Sequence, residues 1–339
     1  VTTPEDAGVD AAHVTDATTS NPWYDLSLPT DWRHLMKAVR IHEYGGPEKL
    51  IFATDAPDPL MSGESVLVEA AATSVNPIDW KVRSGARQKD FPLTFPAILG
   101  KDVSGVVRAV GANVHNFKPG DRVVAMADAT YAELVVVDAA VLTHVPEGCD
   151  LVDAAALPLI AMTGDQLVRV AVRGQRGQTI VVTGALGSVG RAAVHTARKL
   201  GMIVVAGVRG AQLAEAAALG VETLAIDDAE AIGRLAKVDA VADTVGGETA
   251  ASLFARVKDG GTFGYASGLP AGTAETYPAL TVTRVFARPD ASKIREFADD
   301  VRDGKFVLPI SRRMPLREAA EAHVLAERGG AGKIVLLAR

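Results

Sequence analysis

Gln178–Arg209 reads QTIVVTGALGSVGRAAVHTARKLGMIVVAGVR, and its pattern decides the fold. Thr179 to Thr183 is a short apolar, β-branched run of the kind a strand buried on both faces requires. Gly184, Gly187 and Gly190 form a glycine turn, and Arg191 to Leu200 carries helical periodicity. Gly201 stops that helix, and a second buried strand, Met202 to Val208, begins at once. Strand, glycine turn, helix and strand together are the opening of a dinucleotide-binding unit.

Such a turn brings backbone N–H groups close to a pyrophosphate and aims a helix N-terminus at it. Gly187 permits the approach and Gly190 lets the helix pack on the strand, while Ser188, Val189 and Arg191 sit at the helix start beside the phosphates. Ala185 stands where G-x-G-x-x-G has its first glycine, so the strict fingerprint is broken at one position. An NAD site ends the second strand with an acid that accepts from the ribose 2′-OH. This chain reads Val205-Ala206-Gly207-Val208-Arg209-Gly210 there, with no acid. Arg209 lies 19 residues beyond Gly190, where a guanidinium pairs a 2′-phosphate. The expected cofactor is NADP(H), held by Gly184, Ala185, Gly187, Ser188, Val189, Gly190 and Arg209.

Downstream the alternation continues. Helices are expected at Ala211–Leu219, Ala229–Lys237 and Glu248–Val257, with strands at Thr223–Ile226, Ala240–Thr244, Gly261–Ala266 and Thr281–Ala287. That alternation implies a doubly wound parallel sheet with right-handed crossovers. After Ser292 the tail adds a helix, a strand at Val307–Ile310, a helix at Leu316–Glu327 and a last strand at Lys333–Leu337. Upstream, Asp150–Leu157 and Pro158–Val172 read as two helices that carry the chain into this domain.

Before them the pattern is mostly β, with strands at Lys37–His42, Ser65–Ser74, Val103–Val110, Arg122–Ala125 and Tyr131–Val137. Glycine- and proline-rich turns between short strands indicate a barrel-like domain. Its one expected helix, Pro77–Arg83, can be capped by Asn76 and starts with a proline.

The bulk properties agree with a soluble enzyme. At 339 residues two domains are the natural prior, and 48% hydrophobic with 22% charged residues provides ample core. A net charge of −6 argues against nucleic acid as an obligatory partner. No apolar run approaches the roughly 20 residues that span a bilayer. Without a basic region followed by an apolar core at the start, a cytoplasmic location is expected. Cys149 is the only cysteine, which excludes an internal disulfide and a multi-cysteine zinc lobe. Residues 1–35 stand apart, with Glu5, Asp6, Asp10, Asp16, Asp25 and Asp31 against Arg33 alone. They are read as a disordered extension or a misassigned start, with Met36 opening the domain proper.

Taken together, these residues resemble the medium-chain dehydrogenase/reductase superfamily, in its zinc-free, zeta-crystallin-like quinone oxidoreductase branch. The resemblance runs from residue 36 to 339. It rests on MKAVRIHEYGGPEKL at Met36, SVNPIDWKVRSG at Ser74, FPAILGKDVSGVVRAVG at Phe95, and then FKPGDRV, AALPLIAMTG, VVTGALGSVG, LGVETLAID, DTVGG, GTFGYASG and GKIVLL, in that order. It implies a GroES-like β-barrel catalytic domain (36–157), a Rossmann domain (158–288) and a C-terminal segment (289–339) that returns to the first. It also implies NADPH-dependent reduction of quinones or of the activated C=C bond of enones, in a cleft between the domains.

Zinc members of the superfamily carry a cysteine near the position of Asn76 and Gly-His-Glu where this chain has Gly100-Lys101-Asp102. Seven scattered histidines lack ligand spacing, so no metal is expected and metal-assisted alcohol oxidation is disfavoured. By resemblance, Asn76, Asp79 and Lys81 line the cleft. Asn76 or Lys81 would bond the ribose or substrate oxygen, and Lys81 would stabilise a developing anion. Thr163 and the Ala266-Ser267-Gly268 turn would touch the nicotinamide half. Gln212 stands where the branch commonly has a phosphate-binding lysine. Tyr131 and Tyr265 are weaker proton-donor candidates than wall-packing residues. The loop before Tyr131 and the Leu269–Leu280 segment look shortened, so substrate choice does not transfer from relatives.

The expected partner is a small electrophile, with no membrane or nucleic acid, and a homodimer is left open. Two alternatives stand beside this reading: an enoyl-thioester reductase, for which Arg83, Arg87 and Lys89 hint at a basic entrance, and a non-catalytic NADPH-binding protein.

Overall fold

The computed structural model describes residues 35–308, 310–329 and 332–339. The expectation of a disordered arm therefore lies outside the described residues, apart from Leu35, which opens the first strand.

The first half is β-rich, as the turn-punctuated pattern implies. Its strands are β1 (Leu35–Ile41), β2 (Ile51–Pro57), β3 (Ser65–Val75), β4 (Ala97–Ile98), β5 (Asp102–Val110), β6 (Arg122–Met126), β7 (Leu134–Asp138) and β8 (Leu142–His144). Helix α1 (Pro77–Arg83) follows β3 directly. β3 is the backbone of this half. Its first residues pair with β7, its last with the final strand of the chain, and its other edge with β5. Enclosed in this way, it is buried or half-buried along its whole length.

Helices α2 (Leu151–Ala154) and α3 (Pro158–Gln166) lead into the second half, and α3 runs on as a wider π-helical turn over Leu167–Val172. The nucleotide-binding pattern then unfolds as β9 (Thr179–Thr183), α4 (Ser188–Lys199), β10 (Ile203–Val208), α5 (Leu213–Ala216), β11 (Glu222–Ala225), α6 (Ala229–Arg234), β12 (Val238–Asp243), α7 (Gly247–Ala251), β13 (Val257–Tyr265) and β14 (Thr281–Arg284). All six strands are parallel, in the order β11-β10-β9-β12-β13-β14. That is the 3-2-1-4-5-6 order of a doubly wound dinucleotide fold. Alternate residues of β9 fill two cores: Ile180 and Val182 pack under α4 with Ala193 and Ala197, and Val181 packs on the other face with Phe254 and Phe263.

The tail adds α8 (Ala291–Arg302), β15 (Ile310–Pro315), α9 (Ala319–Glu327) and β16 (Lys333–Leu337). β16 inserts between β15 and β3, so the chain ends inside the first sheet. No helix among the described residues is long and apolar enough to cross a membrane.

Several element boundaries differ from the sequence reading. Strands β2, β4 and β8 were not foreseen. The strand expected at Val307–Ile310 begins only at Ile310 and runs to Pro315. The helix expected at Ala211–Leu219 is one α-turn between two 3₁₀ turns, closed by Gly220 at φ 67°. That at Glu248–Val257 shortens to α7 and a 3₁₀ turn, because β13 already begins at Val257.

Candidate active site

A cavity of about 1,170 Å³ lies between the carboxyl ends of the parallel strands and the α1 side of the first half. This is where an open α/β sheet binds ligands, at the switch between strands that run outward in opposite directions. Here the switch falls between β9 and β12, and a polar knot holds it. Thr183 Oγ1 donates to Asp243 Oδ1 (2.6 Å), Thr244 Oγ1 donates to the Thr183 carbonyl (2.7 Å), and Gly246 N–H donates to Asp243 Oδ2 (2.9 Å). Burial pushes the Asp243 carboxyl above its usual range, opposed by the bonds it accepts from Thr183, Gly246 and Val245.

The glycine turn forms one wall. Gly184 sits at φ 61°, where a side chain is strained, and a Cβ on Gly190 would lie 2.1 Å from the Gly184 carbonyl oxygen. The close helix–strand contact therefore requires glycine, and Ser188, Val189 and Gly190, at the helix start where N–H groups lack intrahelical partners, line the cavity. Gly184, Gly187, Ser188, Val189, Gly190, Thr163, Arg209 and Ser267 all line it. Ala185 and Gly268 do not. Ala185 is fully buried in the core beneath the turn. Arg209 Nε donates to Gln212 Oε1 (3.3 Å), so the residue at the expected lysine position steadies the arginine instead. These residues fit a nicotinamide dinucleotide.

The opposite wall carries Asn76 and Lys81 on either side of the α1 start, with Ile78, Trp80 and Phe91. The Asn76 side chain does not cap α1. Its Nδ2 donates to Asp102 Oδ2 (2.7 Å) and the Ser74 carbonyl (3.4 Å), and its Oδ1 accepts from Lys333 Nζ (2.5 Å). Lys333 Nζ also donates to the Val75 carbonyl and Asp102 Oδ2, both at 3.3 Å. Asp102 further accepts from Ser74 Oγ (2.5 Å) and Leu159 N–H (2.7 Å). Asn76 is thus a wedge clamped by a buried ion pair, its N–H groups already engaged. Burial lowers the Lys333 ammonium, opposed by Asp102 and Asp79.

Asp79 lies beneath the cavity wall, 2% exposed. Its Oδ2 accepts from Asn76 N–H (2.8 Å), closing the helix start, and from Tyr131 OH (3.0 Å). Tyr131 OH in turn meets His323 Nε2 (3.0 Å), and Arg83 donates to His323 Nδ1 (2.9 Å) and pairs with Glu327 (2.7 Å). Since a guanidinium only donates, Nδ1 accepts and Nε2 carries the proton. This buried polar column ties α1 to α9. Burial raises Asp79 to about 7, and burial with the Arg83 charge lowers His323 to about 3. Burial and Asp79 raise Tyr131 well above the usual phenol. Tyr131 and Tyr265 do not line the cavity. Arg83, one of the residues considered for a basic entrance, belongs to this column.

Sequence reasoning missed Lys333, Lys101, Arg284 and Thr244 as cavity residues. For Lys333 the only signal was a lysine opening a strand, which says nothing until that strand is placed beside Asn76.

The alcohol dehydrogenase GroES-like domain family matches residues 62–147, and the zinc-binding dehydrogenase family matches residues 219–336. The quinone oxidoreductase of Pseudomonas aeruginosa is 32% identical over 330 residues, covering 89% of this chain and 100% of that one. The quinone oxidoreductase of Pongo abelii is 35% identical over 173 residues, 50% of this chain; there the chain spans about half of its relative, 52%. The solved quinone oxidoreductase of Coxiella burnetii superposes with a TM-score of 0.81 at 28% identity, covering 90% of this chain and 99% of that one. The chain belongs to the quinone oxidoreductase branch of the medium-chain dehydrogenase/reductase superfamily. Its relatives are oxidoreductases, and the family is built around a nicotinamide dinucleotide.

The second family description names zinc, and the residues here do not fit it. Among the described residues no three His, Cys, Asp or Glu side chains come together as a ligand set. Asp102, the one carboxylate of the Gly100-Lys101-Asp102 segment, already faces the Lys333 ammonium.

Proposed function

We propose that the protein is an NADPH-dependent, zinc-independent reductase of quinones or of the activated C=C bond of enones. The observation that carries the reading is Arg209 at the end of β10, lining the cavity where an NAD site would present a carboxylate. Arg209 and Gln212 receive the 2′-phosphate, the α4 N-terminus receives the pyrophosphate, and Thr163 and Ser267 flank the nicotinamide. When bound, NADPH supplies the hydride that adds to an electron-poor carbon. The Asn76–Asp102–Lys333 clamp fixes the wall against which the substrate lies. Lys81, half-buried on that wall, stabilises the negative charge that develops on the substrate oxygen, which then takes a proton from solvent.

The test is NADPH oxidation over a panel of quinones, enones, aldehydes and enoyl thioesters. Turnover with quinones or enones supports the reading. Tight NADPH binding without turnover on any member would overturn it in favour of a binding protein.

A further inference from the structure

The charges around the cavity are unevenly placed. Its lining carboxylates among the described residues are Glu215 and Asp227, and both stand at the Arg209 end. Glu215 pairs with Arg191 (3.5 Å), and Asp227 accepts from Gly210 N–H (2.7 Å). Elsewhere the lining carries Lys81, Arg87, Lys101, Arg284 and Lys333, the last paired with Asp102. Arg87 pairs with Asp90 (3.1 Å) and Lys101 pairs with the exposed Asp128. Lys81 and Arg284 have no carboxylate partner among the described residues.

Arg284 is the sharper observation. It closes β14, the edge strand opposite the Arg209 side of the sheet. Its Nε is buried and has no hydrogen-bond partner, and its guanidinium stands 4.5 Å from the Phe286 ring centroid. The ring fixes a cation in place, while a buried donor left unmet is costly. The glycine turn follows β9, three strand spacings away, about 14 Å at the usual inter-strand distance. A pyrophosphate at the turn is therefore beyond this side chain. Across the cavity, burial and the charge of Arg87 disfavour the Lys81 ammonium, which lacks a counter-ion of its own.

We propose that the substrate carries a compact anion, a carboxylate or a phosphate, which Arg284 receives, leaving Lys81 to the developing charge at the reacting carbonyl. This rests on the reductase reading and adds a substrate class to it. A neutral quinone would leave Arg284 unpaired. An unsaturated oxo-acid, or a thioester on a phosphorylated carrier arm, supplies the missing charge. Arg284 is then the specificity determinant, and the anion anchors the electrophilic carbon relative to the cofactor.

The experiment uses matched pairs: an enone with a terminal carboxylate against its methyl ester, and a phosphopantetheine enoyl thioester against its dephosphorylated form. The expected preference for the charged member of one pair is roughly tenfold to hundredfold in kcat/KM, chiefly in KM. Which pair shows it identifies the source of the anion. R284L should collapse that ratio toward 1, and R284K should keep part of it. Titration of the same probes into the NADP⁺-loaded protein must give the same ratios in Kd, so the proposal is tested even without turnover. Ratios near 1 for both pairs in the wild type, or a ratio that survives R284L, would overturn it. Failure of the reductase reading looks different: no NADPH oxidation with any probe, ester included.

Discussion

Arg209 and Asp79 are single side chains whose states can be measured directly. In the proposed NADPH reading Arg209 carries the choice between NADP and NAD, because nothing acidic ends β10. Arg209→Ala should weaken NADPH binding roughly tenfold to hundredfold, the worth of one charge-assisted contact, while NADH binding stays near its starting value. Titration with both nucleotides checks this, and equal loss for both would refute the role. Asp79 is the pH-dependent group. Its folded value of about 7 exceeds the ordinary 3.8, so the folded chain binds this proton more tightly than the unfolded chain does. The resulting stability is fully present below the ordinary value and is lost as pH rises through 7. His323, lowered to about 3, acts in the opposite sense: its contribution disappears as pH falls below its ordinary 6.5. The two slopes oppose each other in mild acid, so the wild-type curve alone hides them. D79N mimics the protonated carboxyl and keeps His323. Wild-type stability relative to D79N should therefore fall by on the order of 4 kcal/mol from acid to alkaline pH. Denaturant melts across that range measure it, and a pH-independent difference would show that Asp79 does not titrate there.

At the scale of elements, the glycine turn has the least freedom. A Cβ on residue 190 would meet backbone 2.1 Å away, and backbone cannot swing aside. Gly190→Ala should cost about 1–3 kcal/mol of stability and also weaken cofactor binding, because α4 must lift from β9. Thermal melts with and without NADPH check both effects. The turn, α4 and the parallel strands were legible in the sequence because a strand buried on both faces has few readings, as β9 illustrates. β15 was misplaced because Ser311, Arg312 and Arg313 are exposed, which masks its strand character. The α5 region was overextended because alanine-rich sequence favours helix, whereas the chain packs there as 3₁₀ turns around one α-turn. At the site, Arg209 was legible from its place after the second strand, and Asn76 and Lys81 from the family resemblance. Lys333 and Arg284 were not, since each acquires its neighbours only when distant strands pair. The motif also misled about the Asn76 side chain: the spacing that suggests a cap does not reveal that Asp102 and Lys333 hold the amide elsewhere.

For the whole molecule, the decisive arrangement is that the last strand completes the first sheet. β16 pairs with β3 through Leu337↔Ala72 to Ile334↔Val75, and it brings Lys333 to Asn76. A chain cut before Lys333 should lose the interior strand between β15 and β3 along with the counter-ion of Asp102. Its soluble yield and NADPH-dependent turnover should both collapse; a folded, active truncation would show that β16 is dispensable. The same closure sets an order of events during synthesis. The parallel sheet occupies one continuous stretch, from Thr179 to Arg284, and can assemble while the ribosome is still translating the tail. The first sheet cannot close until its final residues leave the exit tunnel. The nucleotide fold is thus fully translated before the strand that carries the Lys333 clamp.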